Sequence, residues 1–440
     1  MPSRPVDLAQ RHLEEILPER EFVPRLSRAA RSVLLLGRYL STTPSSAWPK
    51  KVFANLSQES DELESYLDDF GARWNRVFAT FTEFVASIRW FARGGHTLSH
   101  IEGRFPHYEI EVPHSERAEF LEDLALARAF CGKALVDLLS GLLSEAARVG
   151  CALPQDGIDE KGIPEEPARR RLPRNLDEGE IVEEEHKVAE VASKYLKALD
   201  RFRGLNLRRA GESIDLRRFV ENHCTEECAR LYEATVHNIQ SKYDTYLRAT
   251  ASEARDPRLR KMRGHASVAL HLLGFVTDLV HFYERHETDI RSEGARERIA
   301  ALIDKVGVLH QSVHFGLFHA VRFLERGRPF AEAVLPQYTK MQTYQAVLPE
   351  GVYLHARPAS LIVSVVNHYG TPVEMEIGGK RCNAGSILQV MILAGSNAGA
   401  RQVLFHGDER PLRDLRRLFD LRLGEGGLKD LPDELGYLRN

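Results

Sequence analysis

The sequence predicts a multidomain protein: a large all-α N-terminal region followed by a C-terminal α+β domain with helices on one face of an antiparallel sheet, an open-faced β-sandwich. Three observations carry this. The chain has 440 residues, more than one hydrophobic core usually serves. From residue 8 to 335 the apolar residues recur at helical spacing. After Pro336 the spacing switches to alternation, interrupted by short helical stretches.

Composition sets the outer limits. Hydrophobic residues are 43% of the chain and charged residues 28%, ordinary for a globular protein. A formal net charge of −3 argues against a chain built to bind polyanions, so no nucleic-acid partner is expected. The five cysteines (131, 151, 224, 228, 382) are few and scattered, unlike a secreted disulfide framework. Arg4, Asp7, Arg11, Glu14 and Glu15 interrupt every early apolar run, and Val33–Leu36 and Val268–Val280 are too short or too polar to span a bilayer. The expectation is a cytoplasmic chain with no membrane insertion.

In the helical region, Val52 to Phe91 carries apolar residues at helical spacing, Leu56, Leu63, Leu67, Trp74, Phe78, Phe81, Val85 and Ile88, and Gly94-Gly95 then breaks the pattern. A further helix is expected from about Glu116 to Val149, closing a first part, 1–152. Residues 153–180 read as a connector: Pro154, Pro164, Pro167 and Pro173 remove helix donors, and Arg169-Arg170-Arg171 faces an acidic run at 183–185. Helical patterning returns over 181–335, at Ile181–Arg203, Leu216–Thr250, Gly264–Arg285 and Glu297–Arg326.

Residues 342–424 follow the order β-α-β-β-α-β-α, and 425–440 read as a tail. The strands are Gln342–Leu348, Val373–Ile377, one beginning at Lys380 after a Gly378-Gly379 turn, and Arg401–His406. The helices are Pro358–Tyr369, Ser386–Ala394 and Arg410–Leu423. Leu354-His355-Ala356-Arg357-Pro358-Ala359-Ser360 sits between the first strand and an amphipathic helix with buried positions Leu361, Ile362, Val365, Val366 and Tyr369. Proline is tolerated in a first turn, where the backbone donor is unused, so His355 falls at the N-cap. There the free first-turn amides of Ala356 and Arg357 and the positive end of the helix dipole form an anion site. An imidazole so placed can attack a phosphoryl donor, and Arg357 supplies a guanidinium for the oxygens.

These residues resemble a known family. Tyr344 to about Leu423 is similar to HPr, the histidine-containing phosphocarrier of the bacterial phosphoenolpyruvate–sugar phosphotransferase system. The resemblance rests on the His-Ala-Arg-Pro-Ala core at 355–359, the run Asn383-Ala384-Gly385-Ser386-Ile387-Leu388-Gln389-Val390-Met391, and Gly399 before the last strand. It implies that His355 accepts a phosphoryl group from phosphorylated Enzyme I, steadied by Arg357, and passes it to an Enzyme II component or another acceptor. It implies a group carrier without cofactor or metal, rather than a stand-alone enzyme. Ser386 matches a serine that a kinase modifies in some bacteria; the favoured reading is a capping box with Gln389. Ile387 and Met391 would form an apolar docking patch. The chain departs from the family in a longer loop at Gly351-Val352-Tyr353-Leu354, in Gly385 where lysine is common, and in a short turn at Gly407-Asp408-Glu409.

Nothing in residues 1–335 resembles Enzyme I. Seven histidines cluster late in this region (265, 271, 281, 286, 310, 314, 319), with His310 and His314 four apart, and His223, Cys224 and Cys228 stand close in sequence. Helix packing is the favoured reading over a metal site, because the spacings match no metal motif. The expected function is a phosphocarrier whose helical extension regulates or targets it. The alternative is a scaffold using the C-terminal domain as an interaction module, phosphorylated as a signal or not at all.

Overall fold

The computed structural model describes residues 16–155, 184–205, 207, 215–287, 293–427 and 431–439. The triple-arginine run and most of the connector lie outside these residues. The N-terminal region is helical: α1 Glu19–Ala29, α2 Arg31–Leu40, α3 Lys50–Asp69, α4 Ala79–Arg104, α5 His114–Arg148, α6 Glu184–Phe202, α7 Leu216–His223, α8 Glu226–Tyr246, α9 Ala251–Arg255, α10 Pro257–Glu287, α11 Glu293–Leu302, α12 Lys305–His310 and α13 Phe318–Val334, with a π-helical turn Gln311–Leu317 before α13. One continuous core runs from Phe22 to Val334, so helices on both sides of the connector share it.

The expected helix break at Gly94-Gly95 is overturned. Both glycines lie buried inside α4, and the chain instead turns after α3, at Gly71 and the 3-10 turn Ala72–Trp74, leaving Trp74 79% exposed. These glycines serve close packing: a Cβ on Gly95 would stand 2.4 Å from the Phe53 ring, and one on Gly94 would stand 3.3 Å from Phe275. The low helix propensity of glycine, about 1 kcal/mol per residue, is offset by the approach of α3 and α10.

Helix α10 is long and apolar enough to cross a membrane by length and composition; 78% of its apolar window is buried inside the bundle. All five cysteines are unpaired.

The C-terminal domain follows: β1 Met341–Val347, α14 Ala356–Tyr369, β2 Val373–Ile377, β3 Lys380–Asn383, α15 Ile387–Gly395, β4 Gln402–Asp408 and α16 Glu409–Asp420. The sheet is antiparallel in the order β1-β4-β2-β3, with Met341 opposite Asp408 and Val373 opposite Gly407. Val373, Met375, Ile377, Val403 and Phe405 face the helices and form a second core with α14, α15 and α16. The alternate residues form a polar open face, where Arg381 bridges Glu374 at 3.2 Å and Glu376 at 2.7 Å. Gly378 and Gly379, at φ 60° and 74°, make the β2–β3 turn expected from sequence. The short turn expected at Gly407-Asp408-Glu409 is a direct passage from β4 into α16. Beyond α16, Leu431, Leu435 and Leu438 of the segment read as a tail are buried in this second core.

The two regions meet at the far end of α14. His186 of α6 packs edge-on against Tyr369 at 5.3 Å, and Lys197 Nζ donates to the Gly370 carbonyl at 3.5 Å. Gly370 caps α14 in the left-handed conformation (φ 73°), and a Cβ there would stand 2.9 Å from Glu190 Cγ. Glu190 is buried; burial raises its carboxyl, yet bonds from Lys242, Lys187 and Lys194 hold it down at about 2.

Candidate functional site

His355 is the N-cap of α14, extended at φ −88° and ψ −175°, with the first intrahelical bond running from the Ala359 amide to its carbonyl at 3.1 Å. Pro358 is buried in the first turn, where its missing N–H leaves no bond unmade. The Arg357 amide points at His355 Nδ1, 3.4 Å away. On the other side of the ring, Nε2 lies 3.1 Å from Glu425 Oε1. A carboxylate only accepts, so Nε2 carries the proton and Nδ1 presents its lone pair to the helix start. The His355 side chain is 55% exposed, at the opposite end of α14 from the helical bundle.

Arg357 donates from its guanidinium to the Gly424 carbonyl, and Arg422 Nη2 donates to the Glu350 carbonyl at 2.8 Å. Together they tie the segment after α16 to the first turn of α14 and to the loop before His355. Arg422 and Leu423 both take left-handed backbone conformations, φ 52° and 53°. Such conformations cost roughly 1 kcal/mol or more each in non-glycine residues. Here they turn the chain so that Gly424 and Glu425 face the helix start. Sequence reasoning missed Glu425 because no local pattern links it to a histidine seventy residues earlier.

The longer loop is taken up by a turn: the Val352 amide bonds the Pro349 carbonyl at 3.1 Å, and Val352 inserts into the core. His355 thus stays at the helix start. Between this loop and residues 394–401 lies a cleft of about 530 Å³ that has His355 in its wall.

Ser386 is the N-cap of α15, but its side chain makes no capping bond. The expected capping box is overturned: Gln389 Oε1 accepts instead from the Asn383 amide at 3.0 Å, stapling β3 to α15. Ile387 is 45% exposed, whereas Met391 packs partly against the core. Leu388 and Ile392, which the sequence reading does not place in the docking patch, are 67% and 59% exposed. With Ile387 they give α15 an apolar outer face.

The bundle histidines stand elsewhere. Burial pushes His265 and His271 down to about 4. His319 Nε2 lies 2.8 Å from Asp123, His281 Nδ1 lies 2.8 Å from Glu226, and the rings of His310 and His314 meet at 5.0 Å. Cys224 is buried, and its thiol is raised to about 12 by burial. Among the described residues no group of three or more His, Cys, Asp or Glu is placed to hold a metal ion.

No solved structure matches the chain. No family model matches the helical region, whereas residues 343–408 match the model described as the PTS HPr component phosphorylation site. With its four-stranded antiparallel open sheet and the helices upon it, the C-terminal domain of this chain is an HPr-like domain.

Proposed function

We propose that His355 Nδ1 is the phosphoryl acceptor of a carrier domain attached to a helical regulatory or targeting region. One observation carries the reading: the ring is half exposed at a helix start, with Nδ1 at the first-turn amide and Nε2 on Glu425. In the transfer, the lone pair of Nδ1 forms the N–P bond as the donor's P–N bond breaks, and the electron pair returns to the donor imidazole. The phosphoryl oxygens then meet the amides of Ala356 and Arg357 and the helix dipole. Arg357 leaves the Gly424 carbonyl to form a charge-assisted contact. Glu425 keeps the Nε2 proton and balances the developing imidazolium charge. The donor is phosphorylated Enzyme I of the phosphotransferase system. The acceptor is a histidine on an Enzyme II component or another cytoplasmic protein, docked on Ile387, Leu388 and Ile392.

A second reading, a phosphorylation-read regulator, is favoured by the place of α14. That helix starts at the phosphoacceptor and ends at Gly370 against Glu190 and Lys197 of the bundle. The experiment is incubation with phosphoenolpyruvate and Enzyme I, scored as acid-labile phosphate. We expect stoichiometric labelling, none in His355→Ala, and a rate lower by roughly 10–100-fold in Arg357→Ala and Glu425→Gln. Absence of labelling by several Enzymes I would remove the carrier role; labelling of His355→Ala would move the site.

A further inference from the structure

The bundle holds a second cleft, of about 610 Å³, lined by none of the residues around His355. Four helices line it with polar side chains, and one of these, Asp278, is buried where helical periodicity calls for an apolar residue. Asp61 comes from α3, Arg93 and His96 from α4, Glu233 from α8, and His271 and Asp278 from α10. The spacing of three between Arg93 and His96 and of seven between His271 and Asp278 puts each pair on one face of its helix. Burying the Asp278 carboxylate beside an open cleft sacrifices hydration unless cationic or donor groups answer it.

The charges in the cleft do not cancel. Arg89 pairs with Asp61 at 3.1 Å, and Arg93 pairs with Asp278 at 3.1 Å while lying over the Trp90 ring at 4.8 Å. Glu233 accepts from the Thr277 hydroxyl at 2.8 Å and has no cationic partner among the described residues. Its Oε1 lies beside Gly274, where a Cβ would be 3.5 Å away and where the absent side chain leaves the floor open. Asp278 is buried and raised to about 7, by burial first and by Glu233 among its neighbours, so added negative charge is disfavoured here. His96 and His271 are lowered by burial, and Lys50 pushes the same way, so they offer neutral donor–acceptor rings. The aromatic rings in the lining are the imidazoles of His96, His237 and His271.

We infer that this cleft binds a small hydrophilic organic cation, a protonated alkylamine seated on Glu233 beside Asp278, with its remaining polar groups on the His96 and His271 side. A bound ammonium would neutralise the unpaired carboxylate, which neither an anion nor a neutral polyol does.

The test compares spermidine with triethylene glycol, an uncharged chain of the same length between its ends, using thermal melting and calorimetric titration of the full-length protein. Spermidine at millimolar concentration is expected to raise Tm by at least about 2 °C and to bind near one per chain. Triethylene glycol is expected to do neither. Glu233→Gln keeps the Thr277 bond and is expected to weaken binding at least tenfold. Gly274→Leu fills the floor, alters no charge, and is expected to abolish binding. The proposal is overturned by any one of four results: no spermidine effect, an equal effect of triethylene glycol, binding of many equivalents per chain, or unchanged binding in Gly274→Leu.

Discussion

The bundle and the C-terminal domain use histidine in opposite ways. In the bundle, His265 is fully buried, accepts the Glu111 amide at 3.3 Å, and is kept neutral by its surroundings. In the C-terminal domain, His355 is half exposed at a helix start, with one nitrogen toward an amide and the other toward a carboxylate. The bundle is richer in histidine, yet the group transfer proposed above rests on the one residue at the helix start. A histidine's chemistry comes from the backbone and charge around it, and its frequency in a segment says little.

The comparison can be broken first at the packing that fixes the bundle. Gly95→Val drives two methyls into the Phe53 ring in a filled core and is expected to destabilise the chain by about 3 kcal/mol. Trp48, Trp74 and Trp90 all lie in the bundle, so tryptophan fluorescence in urea reads this loss without signal from the C-terminal domain. An unchanged midpoint would show that α3 and α4 are not in close contact at this point.

Acid sharpens the contrast. The folded pKa of His265 lies below its unfolded value of 6.5, at about 4. The unfolded chain therefore binds the proton more tightly, and the stabilisation is full above 6.5 and is lost as pH falls to 4. For a group so deeply buried, the loss approaches about 3 kcal/mol. Urea midpoints by tryptophan fluorescence at pH 7.5 and 4.5 measure it, and His265→Asn should flatten the dependence. A midpoint that rises on acidification contradicts the neutral assignment. Below this window Glu190, held at about 2, adds a second loss between pH 4.5 and 2 at the junction of the regions.

The smallest effect belongs to Ser386. Because its hydroxyl makes no capping bond, Ser386→Ala should change stability by less than about 0.5 kcal/mol, against about 1 kcal/mol for a lost cap. A loss near the larger value, in urea unfolding followed by tyrosine signals of the C-terminal domain, would restore the capping box.

Much of the C-terminal domain was legible because its signals are local. Alternation marked β2 from Val373 to Ile377 at the observed bounds, and the paired glycines marked the turn after it. Pro358 fixed the helix start and with it the place of His355. The reading failed where one residue type serves two purposes. Gly94-Gly95 reads as a break because glycine weakens helices, whereas here it admits Phe53 and Phe275. Spacing pairs Gln389 with Ser386, but the Ser386 amide bonds the Asn383 carbonyl and the Gln389 carboxamide accepts from the Asn383 amide.

The sequence by itself determined the two-region layout, the strand and helix order of the C-terminal domain, and a histidine at a helix start beside an arginine. These follow from side-chain periodicity and from the fixed backbone angle of proline, which act within a few residues. Only the tertiary structure decided which carboxylate meets His355, which end of α14 touches the bundle, and that four polar helix faces share one cleft. Those contacts join residues tens to hundreds of positions apart, and they are set by how helices pack once their apolar faces are buried.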